Sequence, residues 1–283
     1  ILKDKSIISG LMILSTCNRT EIYFENEVVP SEENKLIHKI LREVVVFKSF
    51  HESLSPYVEI KTNHEKQAAS NFTKLMQIHK ILRKLELAGR DDKTNTKGKP
   101  VAWVCSGISA GIGTEIGLAC HYRIVSDDAR TKVGLPEILV GLFPFGGGTT
   151  RLTRMLGAMA ASPLLLEGKM LSAEAAKTVG IVHEITNIEN LTHAAKNWIK
   201  LATETDIVKP WDKKNYKVPG GAPYHPVGFL TFAGASAMVL GKTQGVYPAH
   251  KALMSAAYEG LLVPFETALK IEARWAVNLL NKN

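Results

Sequence analysis

Val101-Ala-Trp-Val-Cys105, Gly107-Ile-Ser-Ala-Gly-Ile-Gly-Thr-Glu115 and Tyr122-Arg-Ile-Val-Ser126 form the stretch on which the fold turns. The apolar run after Pro100 reads as a short strand. A glycine-rich turn at Gly107, Gly111 and Gly113 leads into a helix expected over Thr114–His121, and Tyr122–Ser126 reads as a second strand. Strands alternating with helices point to the α/β class with parallel pairing. Further on, Leu135-Pro136-Glu137 opens a loop, and Phe143–Gly148 is another glycine-rich turn before a helix at Arg151–Leu156. Ser172–Val179 and Leu191–Ala202 have helical patterns. Upstream, Met76, Ile78, Leu82 and Leu85 mark an amphipathic helix that should fail near Gly89, leaving Arg90–Lys99 as an exposed loop. Residues 7–75 hold an apolar run (Ile7–Leu14), a polar segment (Ser31–Asn34) and a helical pattern (Lys35–Val46). Residues 207–250, rich in Pro, Gly and aromatics, suggest an irregular wrapping segment, and Ala252–Asn283 a helical pattern broken at Pro264. No internal repeat is visible. The regions are 1–75, 76–206 and 207–283, with residues 1–75 expected to be a small α/β unit making few contacts to 99–200.

The bulk numbers narrow the function classes. A chain of 283 residues with 45% hydrophobic and 22% charged residues is ordinary for a soluble globular protein. No apolar run is long enough to span a membrane. Ile1-Leu2-Lys3-Asp4-Lys5 is charged at once, unlike a secretory signal, and the missing initiator Met points to a fragment or processed form. Three scattered cysteines, Cys17, Cys105 and Cys120, argue against a disulfide framework and for a reducing, cytoplasmic compartment. The net charge is +8, and residues 76–100 carry seven Lys/Arg against three acids. Such a run reads as a solvated helix face and basic loop, or as attraction for a polyanion such as nucleotide phosphates or RNA. Aromatics do not interleave with these basic residues, so a nucleic-acid partner is not expected.

The chemistry concentrates between residues 107 and 145. Small residues let the chain turn tightly and a ligand approach its amides. Those amides sit at a helix start, where free N–H groups and the dipole favour developing negative charge. An enolate or oxyanion would be stabilised there. Glu115 lies in the first turn, and Glu137 arrives 22 residues later on a loop fixed by Pro136. Two carboxyl groups at one site can remove one proton and deliver another. Each feature also has a plain structural explanation: a common turn, a helix-terminal acid, a surface loop acid. The dinucleotide-binding reading fails because Gly111, Gly113 and Gly117 have the wrong final spacing. Spacing therefore does not identify the reaction.

Ordered motifs go further. Lys99-Pro100, Gly107 to Glu115, Ala119-Cys120-His121-Tyr122-Arg123, Gly134-Leu-Pro-Glu137, Gly141-Leu-Phe-Pro144, Gly146-Gly-Gly-Thr149, Arg151, Leu171-Ser-Ala-Glu and Gly180-Ile-Val182 resemble the enoyl-CoA hydratase/isomerase (crotonase) superfamily. Pro210-Trp211-Asp212, Val218-Pro-Gly-Gly221, Tyr258-Glu-Gly260 and Pro264-Phe265 resemble the hydratase part of the bacterial multifunctional fatty-acid oxidation α-chain, in which a dehydrogenase domain follows. The resemblance implies an incomplete crotonase-like ββα spiral core over 76–206, followed by a wrapping segment and linker helices over 207–283. It implies hydration of a trans-2-enoyl-CoA to a 3-hydroxyacyl-CoA, with Δ3–Δ2 isomerisation also open to paired glutamates. Glu115 would deprotonate water for attack at C3, and Glu137 would donate a proton to C2. The Ile112 amide would hold the thioester oxygen and the Phe145 amide would position the water. Ala110, Gly111, Gly113 and Pro136 would line the substrate. Glycine is usual where Ile112 and Phe145 stand, so bulk there threatens to crowd the acyl chain. No metal or cofactor is implied, coenzyme A being part of the substrate. The implied partners are a homo-oligomer or a fatty-acid oxidation complex. The family's first oxyanion segment, Phe-x-Ala-Gly-x-Asp-like, is not found upstream of residue 99. An inactive remnant acting through oligomer contacts is therefore the rival reading.

Leu14-Ser-Thr-Cys17-Asn-Arg-Thr-Glu21-Ile-Tyr23 resembles glutamyl-tRNA reductase, and residues 7–75 fit part of its N-terminal domain. By that resemblance Cys17 would be a nucleophile forming a thioester with the glutamyl group, and the chain would be a fusion of two incomplete modules joined near 70–98. Its alternative function is that of a reductase fragment.

Overall fold

The computed structural model describes residues 10–15, 20–25 and 64–281, with side-chain surroundings from residue 67 onward. The Lys35–Val46 pattern and Cys17 lie outside the described residues. The chain is mixed α/β, with two small sheets among the described residues. The first has five strands: β1 (Gly10–Ser15), β2 (Thr20–Glu25), β3 (Val101–Cys105), β5 (Tyr122–Ser126) and β8 (Glu184–Thr186), in the order β2-β1-β3-β5-β8. The second is β4 (Ile108–Ala110), β6 (Lys132–Gly134) and β7 (Leu171–Ser172). Pairing is parallel for β1–β3, β3–β5, β5–β8 and β4–β6, and antiparallel for β1–β2 and β6–β7. Eight described helices accompany them: α1 (His64–Leu87), α2 (Ile112–Ala119), α3 (Gly148–Leu166), α4 (Ala173–Thr178), α5 (Leu191–Leu201), α6 (Pro226–Thr243), α7 (Pro248–Gly260) and α8 (Phe265–Leu280).

Strand β3 shows why its sequence is apolar throughout. Successive side chains of a strand point to opposite faces. Val101, Trp103 and Cys105 enter the main core with α1, α2, α3, α7 and α8, while Ala102 and Val104 join Ile124 and the Leu191, Ala195 and Ile199 face of α5. Both faces are covered, so no polar alternation is needed. Strand β5 leads from α2 back beside β3, which places the start of α2 at the carboxyl end of the sheet's middle strand.

Several expectations are corrected. The first helix starts at His64, not near Met76, and runs unbroken across the expected seam at residue 76. It ends as expected, with positive φ at Ala88 and Gly89. Strand β1 lies in the same sheet as β3, with Leu11 opposite Val101, so this strand, at least, does not keep apart from 99–200. The segment 207–250 is not irregular throughout, because α6 occupies Pro226–Thr243 with Pro226 at its first position, where the missing N–H costs nothing. Leu135-Pro136-Glu137 leads into a 3-10 turn over Pro136–Val140 instead of an open loop. Arg90 is not exposed: it reaches Asp92 at 3.4 Å and Asp212 at 3.1 Å. Arg83 also pairs with Asp212, and Lys97 with Glu204, so three of the seven basic residues of the run are engaged in ion pairs inside the chain.

Candidate active site

Helix α2 begins where Gly111 turns the chain at φ 59°, a left-handed value that favours glycine. Gly111 is tied down by its N–H, which donates to the Gly134 carbonyl at 3.1 Å. Thr114 fixes the turn from inside, its hydroxyl donating to the Ser109 carbonyl at 2.8 Å. Glu115 sits in this first turn and is 1% exposed. Its Oε1 accepts two hydrogen bonds of 2.8 Å, from the N–H groups of Gly146 and Gly148. A Cβ on Gly146 would come 2.5 Å from Oε2 of Glu115, and one on Gly148 2.6 Å from Oε1, so only glycine lets the turn close on the carboxylate.

Glu137 stands in the 3-10 turn that Pro136 starts, and is 8% exposed. A Cβ on Gly111 would lie 3.1 Å from its Oε1, which puts this carboxyl beside the same helix start. Oε2 of Glu137 is buried with no hydrogen-bond partner among the described residues. Burial, then the Glu137 charge, then that of Glu272, hold the Glu115 carboxyl well above the usual carboxylate range, against the pull of the Gly148 and Gly146 amides. Burial pushes Glu137 up to about 7; its own backbone N–H opposes the rise and Glu272 adds to it. Two acids with raised proton affinities, brought together at a helix N-terminus, can exchange protons with a ligand near neutral pH.

The other sequence-predicted positions surround this pair. Ala110 ends β4, Gly113 is buried in the first turn of α2, and Pro136 precedes Glu137. The bulk at Phe145 is absorbed in the core, whereas the Ile112 side chain stays beside the pair, its Cδ1 3.1 Å from where a Cβ on Gly146 would stand. Phe145 is 2% exposed and meets the Phe143 ring edge-on at 5.9 Å, and Ile112 packs half-buried against the main core. The Phe145 carbonyl accepts from Nε2 of His79 on α1 at 2.7 Å. That bond assigns the proton to Nε2, and burial holds the ring's pKa down at about 4.

The sequence reading gave no role to three buried charged residues that frame the site, of which it named only Arg151, as part of a motif. Glu272 on α8 is 0% exposed and accepts from the N–H of Gly147 (2.6 Å), the N–H of Thr150 (2.7 Å) and the Thr150 hydroxyl (2.6 Å). Burial raises it to about 7 against those bonds and Arg151. Arg151 and Glu86, both 0% exposed, pair at 3.1 Å and anchor α3 to α1. One signal was available: an acid at 272 interrupts the apolar stripe Phe265, Ala268, Leu269, Ala273, Ala276, so it must face the core. A cavity of about 320 Å³ lined by Phe229, Phe232, Met254 and Tyr258 lies between α6 and α7, built from none of these residues. Among the described residues no group of three or more His, Cys, Asp or Glu is placed to hold a metal, and no helix is long and apolar enough to cross a membrane.

Comparison with known proteins agrees with the motifs. Residues 78–209 match the family described as enoyl-CoA hydratase/isomerase, and residues 1–77 that described as glutamyl-tRNAGlu reductase, N-terminal domain. The fatty acid oxidation complex subunit alpha of Shewanella sp. (strain ANA-3) is 34% identical over 179 residues, covering 62% of this chain and 24% of that protein. That of Vibrio vulnificus (strain CMCP6) is 33% identical over 184 residues, covering 65% of this chain and 26% of that protein. The chain thus spans about a quarter of the length of these curated relatives. Among solved structures, an enoyl-CoA hydratase from Bacillus anthracis aligns over 76% of this chain and 62% of its own, at 20% identity and TM-score 0.39. One from Geobacillus kaustophilus HTA426 aligns over 75% and 61%, at 19% identity and TM-score 0.38. The chain therefore joins two likenesses: residues 78–209 are similar to the enoyl-CoA hydratase/isomerase family, and residues 1–77 to the N-terminal domain of glutamyl-tRNA reductase.

Proposed function

We propose that the Glu115–Glu137 pair adds water across the double bond of a trans-2-enoyl-CoA. The observation that carries this reading is the meeting of two buried carboxyls at the N-terminus of α2, one held by two amides and the other with an oxygen unpartnered. Glu115, whose ionised form the Gly146 and Gly148 amides favour and a protonated, uncharged Glu137 no longer opposes, orients a water and takes its proton as oxygen bonds to C3. Electrons move from the double bond into the thioester carbonyl, and the first-turn amides of α2, that of Ile112 foremost, take the enolate charge. Glu137, with a pKa near neutrality, is protonated often enough to deliver a proton to C2 as the carbonyl reforms. One proton enters Glu115 and one leaves Glu137, so transfer through solvent resets the pair.

The reading predicts slow turnover. Relatives of this type bring a second oxyanion amide from a Phe-x-Ala-Gly-x-Asp-like segment, and loss of one such donor costs on the order of a hundredfold or more in rate. Crotonyl-CoA hydration, followed by the loss of its conjugated thioester absorbance, should run below about 10 per second and fall further in Glu115→Gln and Glu137→Gln. Hydration that both variants leave untouched would overturn the assignment, and no hydration at all would favour an inactive remnant.

A further inference from the structure

Gly146, Gly147 and Gly148 present three successive N–H groups to two carboxylates carried on different helices. Glu115 takes the first and third, and Glu272 takes the second. Glu272 then closes on Thr150 through both its N–H and its hydroxyl, so its two oxygens accept three donors within one turn of chain. A run of three glycines loses more conformational freedom on ordering than any other tripeptide, so it needs pins from outside. From these observations we infer that Glu272 is a positioning residue for Glu115: it fixes the 146–150 turn whose alternate amides hold the Glu115 carboxylate.

The residue type fits the task. An ionised carboxylate only accepts, so all three donors find an acceptor on it. Glutamine would turn an NH2 group towards either Gly147 or Thr150, donor against donor. Around Glu272 stand two like charges, Glu115 and Glu137, and two opposite charges, Arg151 and Arg154. His79 lies 3.7 Å from Oε1, its Nε2 proton engaged by Phe145. The amide dipoles between Glu272 and Glu115 are what allow two carboxylates to share one dry turn. Lines of force from Glu272 therefore reach the acid pair both through the turn and directly. The catalytic consequence rests on the hydratase reading, whereas the positioning itself does not.

The test is residue-resolved amide hydrogen exchange on the full chain, comparing the parent with Glu272→Gln and Thr150→Val. We expect Gly147 and Thr150 to exchange faster in Glu272→Gln. Gly146 and Gly148, which Glu272 does not touch, should also accelerate by roughly tenfold, as expected for the loss of bonds to a charged group. Amides of β3 and β5 should keep their rates. In an active chain the same variant should lower kcat while KM stays within about twofold. The pH profile should move to lower pH, because one like charge beside the pair is gone, and this shift is not expected of a merely structural brace. Unchanged Gly146 and Gly148 beside faster Gly147 and Thr150 would overturn the inference, as would an unmoved kcat and pH profile. If Glu272→Gln speeds exchange everywhere, Thr150→Val decides by the same comparison, since it keeps the charge and removes one bond. Faster Gly146 and Gly148 in a chain without hydration would uphold the positioning of Glu115 and reject only the hydratase reading.

Discussion

Replacing Glu137 by glutamine should stabilise the chain at pH 8 while removing its proton donor. Burial lifts the folded-state pKa of Glu137 from an ordinary 4.5 to about 7. Folding therefore favours the neutral acid. The stability this contributes is fully present below the unfolded value and is lost as pH rises through the folded value. At about 1.4 kcal/mol per tenfold in proton affinity, the loss by pH 8 comes to about 3 kcal/mol, a large part of the 5–15 kcal/mol typical of a domain. Glutamine keeps the shape. Its oxygen can still accept from the backbone N–H of residue 137, and its neutral amide is cheaper than an anion where Oε2 has no partner. Urea unfolding followed by tryptophan fluorescence at pH 5 and pH 8 reads the difference. His79, with its pKa held at about 4 against an ordinary 6.5, loses its own contribution as pH falls between those values, in parent and variant alike, so it cancels in the comparison. The parent should lose about 3 kcal/mol more than the variant between the two pH values, and the two should nearly coincide at pH 5. Parallel pH dependences would refute the argument that Glu137 is buried at a cost to the fold.

Two further substitutions probe the frame. Gly146→Ala places a methyl 2.5 Å from Oε2 of Glu115 and 3.1 Å from the Ile112 side chain. It should cost about 1–3 kcal/mol by denaturant titration, as overpacking does, and lower hydration at least as much as Glu115→Gln. Arg151→Met leaves Glu86 buried without its 3.1 Å partner on α3. The expected loss is about 3–5 kcal/mol by thermal unfolding, and a loss under 1 kcal/mol would mean that Arg83 alone satisfies Glu86.

Much of the frame was legible in the sequence because local pattern and tertiary use coincide. The apolar runs Val101–Cys105 and Tyr122–Ser126 became strands with those same bounds. Gly111, Gly113 and Glu115 sit where a turn and a helix N-terminus were expected, and the Pro264 break between α7 and α8 is real. Failures came where local and tertiary signals part. His64–Leu75 is polar apart from a few positions, so the early turns of α1 carried no clear apolar stripe. Pro226, Gly228 and Gly234 disguised α6: a proline at a first helical position costs little, but interior glycines weaken a helix by roughly 0.5–1 kcal/mol each, so local propensity argued against it. Glu272 lies 157 residues beyond Glu115, and no local rule links it to the Gly146–Thr150 turn. The basic stretch was read from charge alone, whereas Asp212, more than a hundred residues downstream, takes both Arg83 and Arg90.

The central claim is that Glu115 and Glu137 work as one site on one substrate, and a double-mutant cycle tests it most directly. The quantity is kcat/KM for crotonyl-CoA hydration in the parent, Glu115→Gln, Glu137→Gln and the double variant. Residues that act as a unit are strongly non-additive. The account predicts a large loss in each single variant and a double variant about as slow as the worse single. Losses that multiply in the double variant, or a single variant as fast as the parent, would contradict it.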